Sequence, residues 1–191
     1  MIAKKPPLRR DGGSSIYYLI SYICNDDKTE PDLDLKGLWF RNLAGETVRE
    51  VVVEMRNIVD FGWRETLNPL VHYVITWPQD ETPPLKQIEA YGDYLLKALH
   101  LENNQAVMAL HQNTKNDHLH IVANRIGFDG RPVRLAGNGW DVKAAIKAMR
   151  ELEQMYGLKV QHNGIYDTID GEIVDTGKQS NVSVRARDME A

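Results

Sequence analysis

Apolar residues recur along the chain at two spacings, and the spacings divide it into helices and strands. Ile16, Leu19, Ile20 and Ile23 fall at i, i+3, i+4 and i+7 behind the turn cluster Asp11-Gly-Gly-Ser-Ser, whose Ser14 or Ser15 suits a helix cap. Tyr18 and Tyr22 then lie together on the side of that helix away from its apolar stripe. Leu35 to Arg41 reads as a strand around Leu38, Trp39 and Phe40. Within Gly45 to Val59, the residues Val48, Val51, Val52, Met55 and Val59 keep helical spacing despite the β-branched run. Val71 to Trp77 is β-rich, and Pro83-Pro84 opens a helix carrying Leu85, Ile88, Leu95 and Leu99.

Gln105 to His111 and His118 to Ile126 are apolar-rich runs separated by the polar stretch Gln112 to Asp117, the pattern of an antiparallel hairpin with a longer loop. A last helix, from about Asp141 to Tyr156, places Val142, Ala145, Ile146, Met149, Leu152 and Tyr156 on one face and stops at Gly157. Beyond Asn163 the signal is weak. Strands and helices interleave with antiparallel pairs, so the fold class is α+β, a central antiparallel sheet flanked by helices.

The 191 residues suit one domain spanning 1–191, and the 42% hydrophobic and 26% charged residues suit a packed core. Cys24 is the single cysteine, and no apolar run approaches the ~20 residues that cross a bilayer, so a reduced cytoplasmic setting without membrane insertion is expected. The net charge of −4 argues against a general polyanion binder. Charge is unevenly placed, however. Lys4, Lys5, Arg9 and Arg10 form a basic arm free of acids, and Asp26 to Asp34 holds an acidic cluster. The chain closes on NVSVRARDMEA with no signal that ends a domain, and the full protein is expected to continue.

His111, His118 and His120 fall within ten residues. In a strand, His118 and His120 share a face, and the hairpin returns His111 toward both. Three neutral imidazoles leave part of a cation's coordination shell open and its double charge undiminished, which suits an anionic substrate such as a phosphodiester. His72, His100 and His162 have no partner in sequence. No serine or cysteine sits in a nucleophile elbow and no phosphate-binding glycine pattern occurs, which leaves tyrosine as the leading nucleophile.

These residues resemble the conjugative and mobilisation relaxases of the NikB/TraI-like P class, within the HUH endonuclease superfamily. Met1-Ile-Ala-Lys with Asp11-Gly-Gly-Ser-Ser looks like their N-terminus, and Leu19-Ile-Ser-Tyr22 like their nucleophile motif. PLVHYVITWP, residues 69–78, and HQNTKNDHLHIVANRI, residues 111–126, look like their second and third motifs. The resemblance implies Tyr22 as nucleophile, with Tyr18 as runner-up, and metal ligands at His111, His118 and His120. It places Thr76 and Asn124 near bound DNA, with Lys4, Lys5, Arg9 and Arg10 as phosphate contacts. It implies Mg or Mn in use, whereas imidazole ligation favours Zn or Ni in a purified sample. The implied activity is site- and strand-specific nicking of plasmid DNA at the origin of transfer, through a 5′-phosphotyrosine that can religate. The implied partners are single-stranded plasmid DNA, relaxosome accessory proteins and the conjugative transfer machinery.

Two positions depart from the family pattern. Asn113 stands where the family commonly has an aspartate, and Asp117 precedes His118. The general base stays open. So do three other readings: a rolling-circle replication initiator, a non-catalytic DNA-binding module with an idle metal site, and a metal-dependent hydrolase that activates water.

Overall fold

The computed structural model describes residues 1–6, 15–26, 35–62, 68–78, 80–112, 116–135, 139–161 and 165–178. Five strands form one fully antiparallel sheet: β1 (Ile2–Lys4), β2 (Leu35–Arg41), β3 (Leu70–Thr76), β4 (Ala106–His111) and β5 (His118–Asn124), in spatial order β1-β3-β5-β4-β2. Four helices, α1 (Ile16–Cys24), α2 (Val48–Phe61), α3 (Leu85–Ala98) and α4 (Trp140–Tyr156), flank it. The expected α+β architecture is the one observed.

Strand alternation sorts the sheet's side chains into two cores. Val71, Tyr73 and Ile75 of β3, Met108 and Leu110 of β4, and Leu119, Ile121 and Ala123 of β5 pack beneath α3 and α4. On the opposite face, Val107, Ala109 and Val122 pack beneath α1 and α2 with Ile16, Ile20, Ile23, Val51 and Met55. That second core fills only part of its face. Toward the end of the sheet where β4 hands over to β5, the residues are histidines.

Two helix boundaries follow local chemistry. The helix expected from Gly45 starts at Val48, because Thr47 accepts from the Glu50 amide while the Glu50 carboxylate accepts from the Thr47 amide. Ser15 stands at the N-cap of α1 without a side-chain cap bond, and Ser14 lies outside the described residues. Gly157 ends α4 in the left-handed conformation, as its place in the sequence predicts.

The structure adds an edge strand and a hairpin to the expectation. Met1 and Ala3 are buried, and the first residues form the edge strand β1 against β3 rather than a free arm. After Asn163, where the sequence signal is weak, β6 (Tyr166–Ile169) and β7 (Glu172–Asp175) form a hairpin. Its two-residue turn is Asp170-Gly171, with φ of 52° and 83°. An Asp-Gly pair between β-rich runs is the sequence signal for such a turn. The exposed strands, with little apolar alternation, obscured it.

A buried ionic cluster ties the new elements to α4. The Met1 ammonium donates to Glu153 at 2.5 Å, and Arg150 donates to the other Glu153 oxygen at 3.1 Å, all with side chains at most 1% exposed. Arg150 also donates to the carbonyls of Gln161 and Tyr166. Removing one partner strands the remaining charges in a dry site. Glu153→Ala is therefore expected to lose about 3 to 5 kcal/mol, read as a lower midpoint in urea unfolding. Among the described residues no helix is long and apolar enough to cross a membrane.

Candidate active site

Strand register places the predicted ligands side by side. His111 pairs directly with His118 across β4 and β5, and His120 lies opposite Ala109. Directly opposed residues share a face, so all three imidazoles project on the α1 side. Their rings sit 4.4 to 5.4 Å apart, centroid to centroid. One ring nitrogen from each lies within 4.8 Å of the other two. The hairpin expected from the sequence thus assembles the cluster.

One nitrogen of each ring is already engaged. His111 Nε2 contacts the Ile23 carbonyl at 2.6 Å, and His118 Nδ1 contacts the Asn116 carbonyl at 3.2 Å. His120 Nδ1 contacts His72 Nε2 at 2.8 Å. One nitrogen per ring remains. Among these, His120 Nε2 is buried with no hydrogen-bond partner. A buried polar atom without a partner is costly in a folded protein, and a cation in this cluster would satisfy it. The donor set therefore fits a divalent metal.

Burial keeps the ligands neutral. Desolvation, followed by repulsion from His111, His72 and His118, pushes the His120 imidazole down to about 2. Desolvation and then His111 push His72 down to about 4, and desolvation also lowers His111. Neutral imidazole is the form that binds metal.

Helix α1 brings the phenol. Ile16, Ile20 and Ile23 dock on the sheet, and Tyr22 on the exposed side has its ring 5.9 Å from that of His120 and 6.4 Å from that of His111. Tyr22 is 45% exposed, so a substrate can reach it. The Ile23 carbonyl beside it holds His111, which fixes the end of the helix to the cluster. Tyr18 is 64% exposed one turn earlier, and its ring contact is Tyr17 at 5.7 Å. Both tyrosines leave the core, as the helical stripe predicts, and the geometry separates them.

The remaining predicted residues divide. Thr76 lies opposite His118 and Ile2, so it stands in the histidine row. Lys4, exposed, lies opposite Val74, which lies opposite His120. It thus sits on the same face, about 10 Å of strand spacing from His120. Lys5 points the other way. It pairs with Asp141 at 2.5 Å on the α4 side and approaches the Tyr73 ring, so pleating splits the basic arm and takes Lys5 away from the site. Arg9, Arg10 and Asn113 lie outside the described residues.

Asn124, expected near DNA, lies inside the fold at the far end of β5. It is 0% exposed, donates to the Met55 main-chain carbonyl and to the Gln105 side-chain Oε1, and accepts from the Ile126 amide. Its amide joins α2 to β5. Asn124→Ala is expected to cost about 1 to 3 kcal/mol, the penalty of leaving buried groups unpaired. Thermal unfolding checks the loss, and DNA affinity of the folded variant should be retained.

Asp117 is also committed, since Thr82 donates to its carboxylate at 2.8 Å, which turns it from the histidines. His100 rests against Trp140, and His162 lies outside the described residues. His72, without a partner in sequence, is the residue that sequence reasoning missed. The signal lay in strand parity: His72 and Thr76 are four apart in one strand and share a face. Beside Tyr22, burial and then Asp26 push the Cys24 thiol up to about 12. With so little thiolate, Cys24 should resist iodoacetamide at pH 8 in the folded protein and react once denatured, which mass spectrometry can follow.

An antiparallel sheet presents three clustered histidines with an exposed tyrosine beside them, an arrangement that suits nuclease chemistry. Comparisons with known proteins agree. The family model "Relaxase: MobA/VirD2-like, nuclease domain" matches residues 22–158. A MobA protein of Acidithiobacillus ferrooxidans is 33% identical over 132 residues, which cover 66% of this chain and 32% of that protein. Two TraI proteins of Escherichia coli are 28% and 25% identical, each over 83% of this chain and 21% of the relative. The chain spans about a third or less of the length of these relatives. It belongs to the MobA/VirD2-like relaxase family and is a nuclease domain of that family.

Proposed function

We propose that this domain nicks one strand of plasmid DNA at the origin of transfer by tyrosine transesterification. The observation that carries the reading is the placement of the Tyr22 phenol beside His111 and His120, on a helix whose end is hydrogen-bonded to one of those ligands.

His111, His118 and His120 would hold the divalent ion, Mg or Mn in use, with Zn or Ni bound on purification. When bound, the ion would polarise a non-bridging phosphate oxygen and stabilise the charge gathered in the transition state. Tyr22 attacks phosphorus through its phenolic oxygen. A bond from that oxygen to phosphorus forms, the bond from phosphorus to the 3′ oxygen breaks, and the phenolic proton ends on the released 3′ hydroxyl. One phosphoester replaces another, so the step runs backward without an energy source, and cutting, holding and resealing use the same residues.

Lys4 and Thr76 lie on the histidine face and serve the phosphates of the bound strand, together with Arg9 and Arg10. Relaxosome accessory proteins and the conjugative transfer machinery are the partners this reaction requires. The site of action is the cytoplasm.

The test incubates the protein with labelled single-stranded DNA carrying the plasmid's own transfer origin and Mn2+, followed by a denaturing gel. A covalent protein–DNA adduct that EDTA prevents is the expected result. Cleavage without an adduct would replace the tyrosine with water. Binding without cleavage would make the site idle.

A further inference from the structure

The histidine cluster has a fourth imidazole that the donor set does not use. His72 lies in β3 opposite Val122, one step along the strand face from the pair Val74 and His120. Such diagonal neighbours reach one another when their side chains are long. The His72 ring stacks on that of His120 with centroids 5.1 Å apart and planes at 25°, and its Nε2 lies 2.8 Å from His120 Nδ1.

A hydrogen bond between two neutral imidazoles carries one proton, and its position decides what His120 can do. If His120 Nδ1 carries the proton, Nε2 keeps its lone pair and faces the cluster ready to bind an ion. If His72 donates instead, the proton of His120 moves to Nε2 and blocks coordination. The other two ligands show which arrangement the site is built for. Backbone carbonyls, which can only accept, face His111 Nε2 and His118 Nδ1, so those nitrogens carry protons and their opposite nitrogens keep the lone pairs.

We infer that His72 is a positioning residue for the metal centre: it accepts the Nδ1 proton of His120 and so fixes the tautomer and ring plane that present His120 Nε2 to the ion. The inference rests on the reading of the cluster as a metal site. An imidazole in this role, unlike a carboxylate, adds no negative charge. The bound cation therefore keeps its full charge for the phosphate.

The test measures Mn2+ binding by calorimetry in the wild type, His72→Phe and His72→Gln. Phenylalanine keeps the ring and removes the acceptor, while the glutamine carbonyl oxygen reaches the place of Nε2. His72→Phe is expected to weaken Mn2+ binding about 10- to 100-fold and to alter the visible spectrum of the Co2+-loaded protein, with His72→Gln restoring most of both. Wild-type affinity and spectrum in a folded His72→Phe overturn the inference. So does His72→Gln failing as badly as His72→Phe, since that makes the role one of packing.

A measurement on the unaltered protein guards against a variant that does not fold. In the Zn2+-loaded wild type, long-range 15N–1H correlation of the imidazoles should show His120 Nδ1 protonated and Nε2 metal-bound, and the reverse overturns the inference. If the wild type binds no Mn2+, or if His118→Ala binds it equally well, the metal reading of the cluster falls with it. If the wild type binds and only the His72 variants are silent, the proposed function stands and the role of His72 falls.

Discussion

Tyr22→Phe is expected to abolish the covalent adduct with origin DNA while leaving the strand bound. The substitution deletes one oxygen from a half-exposed ring, so it removes the nucleophile and little else. The α1 stripe of Ile16, Ile20 and Ile23 is untouched, and the bond from His111 goes to a main-chain carbonyl that the substitution keeps. Metal and DNA affinity should therefore stay near wild type, measured by calorimetry and by anisotropy of labelled single-stranded DNA. Tyr18→Phe is the control. Its ring packs on Tyr17 rather than on the histidines, and the adduct should form in that variant. An adduct that survives Tyr22→Phe and disappears in Tyr18→Phe would transfer the nucleophile one turn toward the N-terminus.

His118→Ala should separate chemistry from binding. Of the three predicted ligands it is the one not fully buried, so its loss leaves no large internal cavity, whereas His111 and His120 are 1% and 5% exposed. Metal ions contribute several kcal/mol to transition states that gather charge on phosphate, and each 1.36 kcal/mol is a factor of ten. A fall in nicking of about 10³-fold follows on that scale. Affinity for origin DNA should change by no more than about threefold, because phosphate contacts from lysine and arginine supply most of it. Nicking on a gel and anisotropy under the same conditions check both halves. Equal loss of the two would mean that the histidine holds DNA rather than a metal that acts on it.

The two experiments probe different links of one chain of causes. Tyr22 depends on an amphipathic helix whose apolar stripe fixes its rotation, and His118 depends on a hairpin whose register fixes its face. Neither dependence is visible in a single residue. Both are visible in spacing, which explains why these positions could be read in advance and others could not.

Lys5 and Asn124 show where such reading stops. Lys5 is adjacent to Lys4 in a basic arm, and charge alone treats the two alike. Once residues 2–4 join the sheet, the pleat sends Lys4 to the histidine face, and Lys5 beyond it reaches Asp141 on the other side. Asn124 shares the face of His120 by parity, yet it sits at the far end of β5, where α2 covers the sheet and its amide is consumed by Met55, Gln105 and Ile126. A motif position next to a site in sequence is here a buried brace. His72 errs in the opposite direction: isolated in sequence, it becomes a neighbour only when β3 pairs with β5.

The sequence by itself determined the elements and their faces: the helix that turns Tyr22 outward, the hairpin that returns His111 to His118, and an α+β order with antiparallel pairs. Those properties arise from contacts only a few residues apart, and side-chain periodicity records them directly. Only the tertiary structure decided that β3 lies beside β5, that α1 docks over the histidines, that the first residues form an edge strand, and that Glu153 receives the chain's first ammonium. These choices join residues up to 152 positions apart. Which side chains become neighbours at that range is settled by how the two cores pack and by which buried polar atoms must find partners, and no local pattern encodes that outcome.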